Sequence, residues 1–185
     1  VVKVAGGLEH PWAVAFLPDG RALITERGGR LRLLHEGRLS SVGGLPELDA
    51  RGQGGLLDVI LHPDYARNGW IYFSYAFYAE EGRTAGRSES GTAVARARLR
   101  GQQLADLQVL FRMGRGSTAG VHFGSRLAFL PDGSLVFTIG DRGDRDRAQS
   151  LREHAGKSLR LRDDGAVPPD NPFIGASGAL PEIYS

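Results

Sequence analysis

Apolar and polar positions along the chain recur in one short pattern. Residues 13–17 are apolar, Pro18-Asp19-Gly20 follows, and a second apolar run covers 21–25. The order returns at Leu127-Ala128-Phe129-Leu130-Pro131-Asp132-Gly133, with its second run at 134–139. A looser copy is Leu56-Leu57-Asp58-Val59-Ile60-Leu61, then His62-Pro63-Asp64, then 70–75. Proline presets φ for a turn, aspartate bonds back to the turn backbone, and glycine closes it. Apolar runs of five or six residues are too short for helices and read as strands. A third run alternates in two of the units, at Arg30-Leu31-Arg32-Leu33-Leu34 and at 92–99. The expected burial therefore falls along each unit, with the first strand innermost, as in a propeller blade. Pro18, Pro63 and Pro131 stand 45 and 68 residues apart. The longer step is assigned to residues 78–91, which are read as an exposed surface loop.

Three such units fall short of the roughly four to eight blades that close a propeller. Residues 181–185 begin what reads as a new strand. The sequence is therefore expected to be part of a longer chain. Glycine is 27 of 185 residues, against an ordinary share of about 7%, which favours turns over a helical bundle. No apolar run nears the roughly 20 residues of a transmembrane helix. Without cysteine, disulfides, thiolate metal sites and cysteine nucleophiles are excluded. Lys and Arg number 23 against 21 Asp and Glu, a net charge of +2, and Lys3 and Lys157 are the only lysines. Acids are interspersed with the arginines, so no basic nucleic-acid-binding stripe forms.

The loops that enter the innermost strands open at one end of a propeller. Counted back from the three prolines, His10, Gln53 and His122 stand 8, 10 and 9 residues before, so they are quasi-equivalent at that mouth. Histidine is the usual general base near neutral pH, and His122, beside a glycine-containing loop, is the candidate. His10 precedes Pro11-Trp12 and is read as a packing residue. His35, His62 and His154 are read as structural. Glycines flanking Gln53 permit close approach of backbone or ligand. Asp141, Asp144 and Asp146 lack the glycine and distal glutamate of a calcium loop. They interleave with Arg142, Arg145 and Arg147, so a solvated ion-pair loop is expected there. Gly114-Arg115-Gly116-Ser117-Thr118-Ala119 fits a dinucleotide loop in letters, but a strand follows it instead of a helix.

Leu8-Glu9-His10-Pro11-Trp12 through Gly20, Thr25-Glu26-Arg27-Gly28-Gly29, Gly52-Gln53-Gly54-Gly55-Leu56-Leu57-Asp58, His122-Phe123-Gly124-Ser125-Arg126-Leu127, Ile139-Gly140-Asp141 and Pro169-Asp170-Asn171-Pro172-Phe173 together carry a resemblance. In order and over nearly the whole chain they resemble the glucose/sorbosone dehydrogenase family, more closely its soluble PQQ-dependent aldose sugar dehydrogenases of bacteria. The resemblance implies an all-β fold, a six-bladed β-propeller of four-stranded antiparallel blades. Residues 1–185 are then its N-terminal half, with blade-like units starting near 12, 56 and 125. It implies oxidation of the aldose C1 hydroxyl with hydride transfer to pyrroloquinoline quinone (PQQ), a tricarboxylate o-quinone. His122 would be the catalytic base and a cofactor contact. Gln53 would bind cofactor and substrate, and Asp141 and Arg142 would lie near the sugar. Calcium ligands and the family's cofactor-binding cations are expected beyond residue 185, with no metal site inside it. An external electron acceptor, no nucleic-acid partner, no transmembrane segment and a periplasmic or secreted location complete the expectation. The family carries Asn or Asp before the histidine, where this chain has Val121. Two other readings stay open on the residues alone. One is a propeller binding module without chemistry. The other is a calcium-dependent lactonase-type hydrolase, for which Glu9 is the only acidic residue in the three mouth loops.

Overall fold

A computed structural model describes residues 2–79 and 88–185. Among them the regular structure is almost entirely antiparallel β. The first sheet is a meander of β1 (Pro11–Phe16), β2 (Ala22–Glu26), β3 (Arg30–His35) and β4 (Arg38–Val42). The second is β5 (Leu56–Leu61), β6 (Trp70–Tyr78), β7 (Ser90–Arg100) and β8 (Gln103–Arg112). The third contains β9 (Leu127–Phe129), β10 (Leu135–Ile139) and β11 (Lys157–Leu161), and Ile183 bridges to Leu159 at its outer edge. The Pro-Asp turns connect first to second strands. In the first unit Leu17 N–H donates to Arg21 O, and in the third Leu130 N–H donates to Ser134 O. In the middle unit a single helical turn, α1 (Tyr65–Asn68), replaces the short turn. These sheets are β-propeller blades.

The core lies between neighbouring sheet faces. Leu23 and Leu31 of the first sheet, Leu56, Ile71, Phe73 and Tyr75 of the second, and Leu135, Phe137 and Leu159 of the third are fully buried. Packing aromatic and branched side chains between sheets in this way supplies most of the stabilisation. A smaller cluster of Leu57, Ala76 and Phe123, with Trp12 against it, lies beneath the loops that enter the inner strands.

Burial departs from the expected order. In the second sheet β5 and β6 are buried and β8 is largely exposed, as expected. In the first sheet β2 is wholly buried, whereas Val14 and Phe16 of β1 are 51% and 75% exposed. A strand is buried only where sheets cover both of its faces. Strand β5 packs against β1 and β2 on one side and β9 on the other, while β1 meets a neighbouring sheet chiefly through β5 among the described residues. The loop expected at 78–91 is also narrower at its ends. Phe77 pairs with Gly91 and Tyr78 with Ser90, so β6 and β7 run further than the composition suggested. Gly91 permits this, because a side chain there would meet the Phe77 ring. Residues 80–87 of that segment lie outside the described residues.

A hydroxyl and a carboxylate bind the sheets at their seams. Thr25 Oγ1 donates to Leu57 O at 2.6 Å, joining the first sheet to the second. A bulge in β5 between Leu56 and Val59 takes Asp58 N–H out of the ladder, and it donates to Ser74 Oγ instead. The Asp58 carboxylate then reaches the third sheet, accepting from Leu127 N–H at 2.8 Å and from Arg126 at 3.1 Å. Burial raises the Asp58 pKa, opposed by these donors.

Candidate functional site

Antiparallel pairing fixes which loops meet. The residue leaving a second strand stands beside the residue entering the first: Pro11 opposes Glu26, Leu56 opposes Tyr75, and Leu127 opposes Phe137. Arg27 and the loop at 140–143 therefore share one end of the molecule with Gln53 and His122. A cleft of about 400 Å3 opens there, lined by Trp12, Arg27, Gly52, Gln53, Leu57, His122, Phe123 and Gly124.

Gln53 and His122 are joined directly. Gln53 Oε1 accepts the His122 backbone N–H at 2.9 Å, and Gln53 N–H donates to Gly120 O at 2.8 Å. Gly52 is required for this approach, since with φ near +57° any side chain would strike the Gly120 carbonyl. The Gln53 side-chain amide N–H groups have no acceptor among the described residues.

His122 is held by its whole surroundings. Its backbone is left-handed, with φ near +53°, a conformation a non-glycine residue keeps only when neighbours impose it. Thr92 Oγ1 donates to Phe123 O and Ser74 Oγ to Ser125 O, at 2.9 and 2.7 Å. Gly140 packs against the His122 carbonyl so closely that a Cβ there would overlap it. The imidazole Nδ1 lies 2.7 Å from Asp141 Oδ1. Asp141 also accepts Gly143 N–H at 2.9 Å. The His122 contact first, and then the Gly143 amide, hold the Asp141 carboxyl below its ordinary range. An ionised Asp141 accepts the Nδ1 proton, which leaves Nε2 of a neutral ring as the lone pair. The pair is exposed enough for a ligand to reach it, with the His122 side chain 54% accessible.

Arg142 does not contact the cleft as the sequence suggested. Its side chain is 1% exposed. Nε donates to Val121 O at 2.9 Å, Nη1 to Ser90 O and Nη2 to Ser90 Oγ, both at 3.2 Å, and the guanidinium lies 3.7 Å over the Phe123 ring. Its backbone φ near +60° turns the side chain inward from Asp141. The expected ion-pair loop is likewise replaced by divided roles. Arg147 pairs with Glu153 at 2.6 Å, Asp144 caps the 3-10 turn Arg145–Gln149, and Asp141 goes to His122. His10 is exposed and contributes its carbonyl to Arg27 N–H instead of packing its ring. His154 is buried, its Nδ1 accepting Gly114 N–H.

Arg27 was missed as a cleft residue. The strand register would have found it, because it follows a second strand just as Asp141 nearly does. Among the described residues no group of three or more His, Asp or Glu side chains is placed to hold a metal ion.

Comparison with known proteins places the chain among sugar dehydrogenases in sequence and fold. The chain is 44% identical over 183 residues to the aldose sugar dehydrogenase YliI of Escherichia coli K12, covering 96% of this chain and 48% of that one. It is 28% identical over 207 residues to quinoprotein glucose dehydrogenase B of Acinetobacter calcoaceticus, covering 98% of this chain and 42% of the other. The structure of the PQQ-bound form of aldose sugar dehydrogenase from Streptomyces coelicolor superposes with a TM-score of 0.80 at 31% identity, over 99% of this chain and 52% of that one. The chain thus spans about half the length of the curated relatives it matches. The profile described as Glucose / Sorbosone dehydrogenase matches residues 8–185, and the chain belongs to that family.

Proposed function

We propose that this chain forms part of a quinoprotein that oxidises the C1 hydroxyl of aldose sugars, with His122 as the general base. The observation that carries the reading is the His122–Asp141 pair facing a cleft that Gln53 also lines. A sugar hydroxyl is a very weak acid, so loss of hydride from C1 needs concurrent removal of the hydroxyl proton. A positioned base contributes about 10²–10⁴-fold. His122 Nε2 accepts that proton, and the Asp141 carboxylate stabilises the imidazolium through Nδ1–H. Gln53, whose carbonyl is committed to His122, keeps its amide N–H groups to orient a sugar or quinone oxygen.

The cleft suits PQQ. Its described lining residues include none that is acidic, two glycines leave space, and Trp12 and Phe123 give it aromatic walls. PQQ, when bound, supplies the hydride acceptor. No three-residue cation site exists among the described residues, so no step is assigned to calcium. In this reading residues 1–185 are part of a single larger six-bladed propeller, periplasmic or secreted, that passes electrons to an external acceptor. Among the described residues no helix is long and apolar enough to cross a membrane.

The test is dye-coupled oxidation by the full-length protein with PQQ. Glucose or another aldose should reduce the dye only when PQQ is supplied. A protein that binds no PQQ and oxidises no aldose under these conditions would leave a binding module as the better description.

A further inference from the structure

We propose that Arg27 is the carboxylate-binding residue of this cleft. The inference rests on the functional reading above only for the identity of the ligand, not for its charge. Acid partners surround most arginines near the sheet ends: Arg30 pairs with Glu26, Arg51 with Asp49, Arg126 with Asp58 and Arg147 with Glu153. Arg27 pairs with no carboxylate among the described residues. Its side chain makes one hydrogen bond there, from Nη1 to Gly52 O. The carboxylate nearest in role, Asp141, is already taken by His122 Nδ1 and Gly143 N–H.

Arg27 is also carried on a rigid mount. Its N–H donates to His10 O at 3.0 Å and its carbonyl accepts Leu56 N–H at 3.2 Å, at the seam between the first and second sheets. Gly55 presses on that carbonyl so closely that no side chain fits. The backbone is held at both ends, and the bond to Gly52 O keeps the guanidinium at the cleft lined also by Gln53. A guanidinium fork with free N–H groups matches a carboxylate in two parallel bonds. Among the described lining residues Arg27 is the one arginine or lysine and none is acidic, so a carboxylate of the ligand meets a complementary charge there. That carboxylate has two possible sources, the quinone cofactor or an acidic sugar such as an aldonate.

The full-length protein separates them. PQQ affinity is measured by fluorescence quenching, and gluconate affinity by calorimetry, for wild type, Arg27→Gln and Arg27→Lys. If the carboxylate belongs to the cofactor, Arg27→Gln should weaken PQQ binding about 10- to 100-fold and leave gluconate affinity unchanged. If it belongs to a sugar acid, PQQ affinity should hold and gluconate binding should fall by a similar factor. Arg27→Lys, which keeps the charge but not the fork, should fall between in either case, and its thermal midpoint checks that the fold survives. Unchanged affinity for both ligands in Arg27→Gln overturns the proposal. If wild type binds no PQQ the functional reading fails, and the gluconate arm still decides the role of Arg27.

Discussion

Replacing Arg142 with methionine in the full-length protein tests how the site is held in place. Methionine keeps an unbranched apolar stem and removes every donor, together with the guanidinium that lies over Phe123. Val121 O and Ser90 Oγ lose this donor, and Ser90 O keeps only the Ser117 N–H. Hydrogen bonds from a charged donor contribute about 1.5–3 kcal/mol each, with the two at 3.2 Å at the low end, or about 5 kcal/mol together. Against this, burial lowers the guanidinium pKa to about 10, so desolvation of the charge offsets part of that gain. The larger consequence is local, because an unsatisfied carbonyl costs about 1–3 kcal/mol, and Val121 O, which is only partly buried, regains a partner by turning toward water. Val121 is bonded to His122, so its movement releases the left-handed backbone and the Nδ1 contact with Asp141. The expected result is a loss of about 2–4 kcal/mol by denaturant unfolding. Turnover should fall about 10- to 100-fold with PQQ affinity nearly unchanged. Stability within about 0.5 kcal/mol of wild type and unaltered turnover would refute the view of Arg142 as the clamp of this loop.

Asp58→Ala should destabilise by about 2–4 kcal/mol, because Leu127 N–H and Val59 N–H lose buried acceptors; chemical denaturation checks it, and a change below about 0.5 kcal/mol would contradict the seam role. His154 supplies a pH dependence. Burial lowers its pKa, partly offset by Glu182 and Glu153, so the folded protein holds it neutral while the unfolded chain takes up a proton below about pH 6.5. Stability should be full above that pH and decline as pH falls toward the depressed folded value. His154→Gln should flatten this slope in thermal scans, and an identical slope would remove His154 as its source.

The inner strands were legible because short apolar runs bracket Pro-Asp turns, a pattern that backbone geometry makes hard to mistake. That Gln53 and His122 share one mouth followed from their similar offsets before those turns, whereas their hydrogen bond depends on the loop conformation. The outer strands β4 and β8 were not individually visible, since Arg38–Val42 is short and only partly buried, Gln103–Arg112 is mostly exposed, and neither shows a clean alternation. The inward turn of Arg142 depends on a left-handed backbone at a non-glycine residue, which no periodicity reports. Arg27 was hidden for a different reason. Mouth loops were counted only where they enter first strands, although antiparallel pairing brings the ends of second strands to the same place. His10 misled because Pro11-Trp12 suggested packing, whereas its φ near +49° directs the carbonyl inward and leaves the ring in solvent.

The most direct measurement is the turnover of His122→Ala in the full-length, PQQ-loaded protein with a saturating aldose, alongside PQQ affinity for the same variant. His122 should contribute the proton transfer, so kcat should fall about 10²–10⁴-fold while PQQ affinity stays within a few-fold of wild type. A kcat near that of wild type would show that the C1 hydroxyl proton leaves by another route.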